Sequence, residues 1–305
     1  MPWTLFAHTQ RPQVPYESLS VMNTERLTAM PSNSPVRARA ETTLSFQPDA
    51  EMPVIAFAGD WHEGPSGIYD QFRSLSNLGV HHLHHVGTLS LRPDHPGRTS
   101  LDQLNDLACQ FELWITVTPG TRADWRHLAT AFEAAGAGNP APVRSRIEAL
   151  PRGCRWREGG RTFLSHGGTS AFESEEQELD SAWWQDEVAA SDEFDALIAD
   201  GHADIMVTND SPVPGTLAVN QIRPNPSRRD LDAYVHAAYD SQGITAAWVE
   251  ASPDILIHGH YNLRDEITLP GGQRIHSLAS SGNAGNVMLL DLRTLKSTWL
   301  EDTRP

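Results

Sequence analysis

The chain has 305 residues, 39% hydrophobic and 20% charged, an ordinary globular balance that suits one large α/β domain or two modest ones. Its formal net charge of -16 disfavours wrapping a nucleic-acid backbone, which needs clustered Lys and Arg, yet allows a small anionic substrate in a local pocket. No apolar run approaches the roughly 20 residues that span a bilayer, and the first residues lack the basic and apolar regions of a secretory signal, so a soluble cytoplasmic protein without a membrane partner is expected.

Residues 1 to 50 are rich in Pro, Ser, Thr and Arg without useful periodicity, and are expected to form a disordered extension ahead of one domain over 51–305. From Pro53 strands and helices alternate. Val54 to Ala58 is a short apolar run read as a buried strand, and Ser66 to Leu78 comes next as a helix with Ile68, Phe72, Leu75 and Leu78 at helical spacing. His81 to Val86 reads as a second strand, Ser100 to Cys109 as a helix, Leu113 to Val117 as a third strand and Ala123 to Ala135 as a helix. Farther along, Arg155 to Leu164 and Arg264 to Leu278 read as hairpins turning at Gly159-Gly160 and Gly271-Gly272. Asp204 to Thr208, Asp254 to His258 and Asn286 to Leu290 read as strands, with helical stretches expected in 181–199 and 227–251. The alternation implies right-handed crossovers and mainly parallel pairing.

The informative residues stand at the carboxyl ends of the buried strands. Gly59-Asp60-Trp61-His62 ends the first, Gly87-Thr88 the second, Gly120-Thr121-Arg122 the third, Thr208-Asn209-Asp210-Ser211-Pro212 the fourth and Gly259-His260-Tyr261-Asn262 the fifth. Ligands of α/β sheets gather at such strand ends, so these loops should converge on one pocket.

In these motifs, GDWH, GT, GTRA, TNDSP and GHYN in that order, the chain resembles the calcineurin-like metallophosphoesterases, whose pattern is GDxH, GD, GNH, a strand ending in His, and GHxH. Gly167-Gly168, the Trp183-Trp184 segment and Gly285-Asn286-Val287 add to the resemblance, which covers about Pro53 to Leu300 and is to the compact bacterial members. It implies an α/β four-layer sandwich, two mixed sheets flanked by helices. It also implies phosphoric ester hydrolysis at two divalent metals, with a carboxylate bridging the ions.

Only Asp60, His62 and His260 match the family's metal ligands. Thr88 stands where the bridging Asp would be, Thr121 and Arg122 replace the Asn and catalytic His of GNH, and Asn209 and Asn262 replace the remaining histidines. Two adjacent dications repel one another, and a neutral hydroxyl offsets none of that repulsion. The expectation is one weakly bound divalent metal (Mn, Fe, Zn or Mg) on Asp60, His62 and His260, with Asn209, Asn262, Thr88 and Thr121 as poor further donors, or no metal at all. Arg122, with His62 and His260, would then clamp a small phosphorylated molecule. The reading is a catalytically impaired phosphoesterase homologue, with two alternatives: an active enzyme using a mononuclear or rearranged site, and a protein-interaction module on the same scaffold. Replacement ligands from Asp94, His95, Asp124 or Asp210 would need backbone shifts of several ångström, whereas ligand distances tolerate only about 0.2 Å.

Other residues read as structural. In His81-His82-Leu83-His84-His85 a strand aims at most two imidazoles the same way, and an edge strand or a covering helix is the expected setting. His166, His236, His258 and His276 are taken as packed, His258 beneath the pocket. Trp183-Trp184 suits a packed helix as well as a base-stacking wall, the acids Glu173 to Glu178, Asp186 and Glu187 suit a solvated face, and Cys109 and Cys154 are expected as packed thiols.

Overall fold

The run Val54–Ala58 (β1) alternates its faces as a strand must: Ile55 and Phe57 enter one apolar cluster, Ala56 and Ala58 another. The same division repeats along the chain and builds the architecture. The computed structural model describes residue 44 and residues 53–61, 67–89, 91, 98–120, 123–136, 138–168, 201–223 and 231–303, with backbone alone for 98–100 and 231–240. All of them belong to Ala38–Pro305, one of the two units into which the chain divides. The 1–50 stretch apart from Leu44, the helical stretch expected over 181–199 with its tryptophans and acids, the acidic run Glu173 to Glu178, Asp94 and His95 lie outside the described residues.

After β1 come Ile68–Asn77 (α1), His82–Gly87 (β2), Arg98–Gln110 (α2), Trp114–Pro119 (β3) and Trp125–Ala135 (α3). A hairpin that the sequence pattern does not announce is next, Ala141–Arg144 (β4) and Ile147–Ala149 (β5). Then come Cys154–Glu158 (β6), Arg161–His166 (β7), Ile205–Thr208 (β8), Leu217–Ile222 (α4), Leu231–Ala251 (α5) and Ile255–His258 (β9). Asp265–Thr268 (β10), Arg274–Ser277 (β11), Val287–Asp291 (β12) and Ser297–Trp299 (β13) complete the strands.

The strands form two mixed sheets. One has the order β13-β12-β1-β2-β3-β5-β4, the other β10-β11-β9-β8-β7-β6, and within them β1, β2, β3 and β5, like β7, β8, β9 and β11, pair in parallel. Phe57, Met288 and Leu290 of the first sheet share a cluster with Phe163, Val207 and Ile257 of the second, so the sheets face each other. Phe72, Leu101 and Leu128 cover the outer face of the first, and Ile244 and Ala247 that of the second. The chain is thus an α/β sandwich of two sheets with helices on both outer faces. Leu44 is 5% exposed and packs into the inter-sheet cluster.

One expectation is corrected. β2 is not an edge strand; it lies between β1 and β3 in the interior of the sheet. His82 and His84 share a face, as the strand period requires, and bond across it to Thr116 of β3. His85 points oppositely and packs on Trp61 with ring centroids 4.5 Å apart. Among the described residues no helix is long and apolar enough to cross a membrane.

Candidate functional site

β1 leads directly into Gly59-Asp60, and Asp60 is fully buried. One of its carboxylate oxygens accepts the Thr88 amide at 2.6 Å, and the other accepts the His260 amide at 2.8 Å. Bonds from backbone N–H to an ionised carboxylate are among the stronger ones a protein makes. One anion thereby ties the ends of β1 and β2 in the first sheet to the end of β9 in the second. The preceding Gly59 is held by Asn286, whose Nδ2 donates to the carbonyls of Gly59 and Ala279 at 3.2 and 2.8 Å.

Gly87 is the point on which the loops close. Its φ is +98°, and a Cβ there would come within 2.5 Å of Asp60 Oδ1. A Cβ on Gly259 would press on the Gly87 Cα at 3.0 Å, and one on Gly120 would come 2.6 Å from the Gly87 carbonyl and collide with Asn209 Oδ1. All five strand-end motifs therefore contribute a residue to one place: Asp60, Gly87 with Thr88, Gly120, Asn209, and Gly259 with His260. Glycine is required wherever backbone approaches so closely.

The predicted residues differ in circumstance. Thr88 is 4% exposed and His260 half-buried. Asn209 is fully buried, its amide N–H donates to the His166 carbonyl at 3.3 Å, and neither atom of its side-chain amide has a hydrogen-bond partner among the described residues. Asn262 is exposed, with Nδ2 donating to the His260 carbonyl at 3.4 Å. His260 and Asn262 both hold left-handed backbone, φ +71° and +57°, a conformation that side-chain-bearing residues adopt at a cost and that gathers at functional loops. His62, Thr121 and Arg122 lie outside the described residues. Asp124 caps α3, accepting the His127 amide at 3.0 Å.

A second group stands beside this ring. Asp210 is 3% exposed; it accepts the Tyr261 hydroxyl and the Ser211 amide, each at 2.6 Å, and the Ser241 hydroxyl at 3.2 Å. Burial raises its pKa, but the charges of His260 and Arg223 and the Tyr261 and Ser211 bonds outweigh that and hold it below the ordinary carboxylate value. Burial, then the charge of Asp210, pushes the Tyr261 hydroxyl far above its usual pKa, so it stays a donor. Arg223 binds the carbonyls of Ser211 and Pro212 at 2.6 and 2.8 Å. Tyr261 was legible as the third residue of GHYN; Arg223 and Ser241, far off in sequence, carried no signal.

Burial also explains the histidines around the site. It lowers His258 to about 4, against smaller raising contributions from the Gly259 carbonyl and Asp210, and it lowers His166 to about 3 with help from Arg152. His276 of β11 is lowered to about 4, again first by burial. These imidazoles are neutral at pH 7. Among the described residues no three His, Cys, Asp or Glu side chains are grouped closely enough to hold a metal ion.

No known family profile matches the chain, and no curated protein does. Solved structures similar to it include TT1561 of Thermus thermophilus, 15% identical, TM-score 0.46, covering 81% of this chain and 97% of that one. Another is GAP50, described as the anchor in the inner membrane complex of Plasmodium, 14% identical, TM-score 0.41, covering 78% of this chain and 81% of that one. A hypothetical protein from Thermus thermophilus is 13% identical with TM-score 0.38, covering 76% and 77%.

Proposed function

We propose that this chain is a calcineurin-like metallophosphoesterase-fold protein whose dinuclear centre is incomplete, and that its strand-end pocket binds a small phosphate-containing molecule without hydrolysing it. The observation that carries the reading is the neutral make-up, among the described residues, of the strand ends around the Asp60 carboxylate. Thr88 and Asn209 bring no charge, while Asp60 already commits a lone pair of each oxygen to the amides of Thr88 and His260. The nearby Asp210 is enclosed by Tyr261, Ser211 and Ser241. Two dications need anionic ligands between them to offset their repulsion, and this donor set does not fit that need.

What the pocket retains is suited to an anion. The buried Asn209 amide has donors to give, His260 stands on a strained loop at the same strand ends, and Arg122 in GTRA would add a fixed cation by its place in the motif. The test is an assay of the full chain on aryl phosphates, after EDTA treatment and readdition of Mn, Ni or Zn. The expected outcome is no turnover, with inorganic phosphate still raising the melting temperature. Turnover that returns with Mn and vanishes in Asp60→Ala would overturn the proposal and favour an active enzyme with a rearranged site.

A further inference from the structure

The inter-sheet face of β2 and β3 is polar where that of β1 and β12 is apolar, and its side chains form one unbroken chain of contacts. Glu158 Oε1 lies 2.8 Å from His82 Nδ1, and His82 Nε2 lies 3.0 Å from Thr116 Oγ1. Thr116 Oγ1 lies 2.8 Å from His84 Nδ1, His84 Nε2 2.7 Å from Thr118 Oγ1, and Thr118 Oγ1 2.8 Å from Ser165 Oγ. None of the six is more than 5% exposed. The chain of contacts runs from the Gly159-Gly160 turn to the residue before His166, whose carbonyl takes the Asn209 amide. With four residue steps of strand from Glu158 to Cys154, the partner of Ser165, its span is roughly 13 Å.

With both imidazoles in their neutral form, proton counting gives these bonds a single direction. A hydroxyl has one hydrogen, so Thr116 can donate to only one of the two rings it touches and must accept from the other. The indole N–H of Trp156, which can only donate, points at Glu158 Oε2 at 3.4 Å, so this oxygen accepts. Glu158 then accepts from His82 Nδ1–H, which leaves His82 Nε2 to accept from Thr116. Thr116 accepts from His84 Nδ1–H, His84 Nε2 accepts from Thr118, and Thr118 accepts from Ser165. The His84 ring is fixed for this role by stacking on Trp156, at 5.4 Å and 2°.

We infer that these six side chains form a polarity relay, in which the charge of Glu158 at one end of the sandwich sets the orientation of the Ser165 hydroxyl beneath the strand-end pocket. Neutralising Glu158 removes the group that forces the direction. In Glu158→Gln the amide carbonyl turns to the Trp156 N–H and the NH2 faces His82 Nδ1. That nitrogen must now accept, and every later bond reverses in turn. Because bonds in such a series polarise one another, the reversal is collective.

Nitrogen-15 NMR of labelled imidazoles in the full chain reads both tautomers directly. In the wild type His82 and His84 are expected to carry their proton on Nδ1; in Glu158→Gln both move it to Nε2. Thr116→Val removes the hydroxyl between the rings, and in that background Glu158→Gln changes His82 but leaves His84 as it was. A wild-type His84 protonated on Nε2, or on both nitrogens, would overturn the inference even if the Glu158→Gln substitution prevented folding. So would a folded Glu158→Gln protein whose His84 tautomer equals that of the wild type.

Discussion

Asp60 and Asn209 stand at the carboxyl ends of β1 and β8, are equally buried, and reach the same group of packed glycines, yet their surroundings are opposite. Asp60 has a backbone donor for each oxygen, whereas the Asn209 side chain has no hydrogen-bond partner among the described residues. The first is an internal fastener between the two sheets. The second is a buried side-chain amide without such a bond, an exception to the rule that buried polar groups are paired. On the proposed function, one ring of residues serves stability on one side and binding on the other.

The contrast predicts unequal responses to mutation. Asp60→Ala leaves the buried Thr88 amide and the half-buried His260 amide without their acceptor and should lower unfolding free energy by about 1–3 kcal/mol for the buried group and less for the other, read from urea midpoints. Gly87→Ala should cost about 2–4 kcal/mol, since it meets both the left-handed backbone and the Asp60 carboxylate; equal stability to the wild type would show that the Asp60 fastening is not rigid. The fully buried His166 supports the Asn209 end and adds a pH dependence. Its folded pKa of about 3 lies below the unfolded value, so the unfolded chain takes up the proton first. The stability it contributes is complete above about pH 6.5 and falls by about 1.4 kcal/mol per pH unit as pH drops from there towards its folded value. His166→Gln should flatten that part of the pH profile. Asn209→Ala should change stability by less than about 1 kcal/mol, because it deletes polar atoms that no bond satisfies, while abolishing the phosphate-induced rise in melting temperature.

The alternation of apolar runs with helical spacing made β1, α1, β2, β3 and α3 legible, because burial on both faces leaves a dense apolar signature in a parallel strand. The hairpin β4–β5 was not legible: Ala-Pro-Val-Arg and Ile-Glu-Ala are too short for a period. The setting of β2 was misread because its histidines look like surface residues. They are buried through partners on other elements, Glu158 of β6 and the threonines of β3, which no local pattern announces. At the site, glycine before each polar residue pointed to the convergence. That Asp60 bonds backbone at the ends of β2 and β9 depends on pairings between loops up to 200 residues apart, which spacing alone does not encode.

The central claim is that a ring with neutral Thr88 and Asn209 around Asp60 does not hold a pair of dications. Metal content of the full chain, purified without chelator from Mn-supplemented culture and measured by inductively coupled plasma mass spectrometry, tests it most directly. At most one weakly held ion per chain, lost on dialysis, is expected. Two ions per chain that survive dialysis would contradict it.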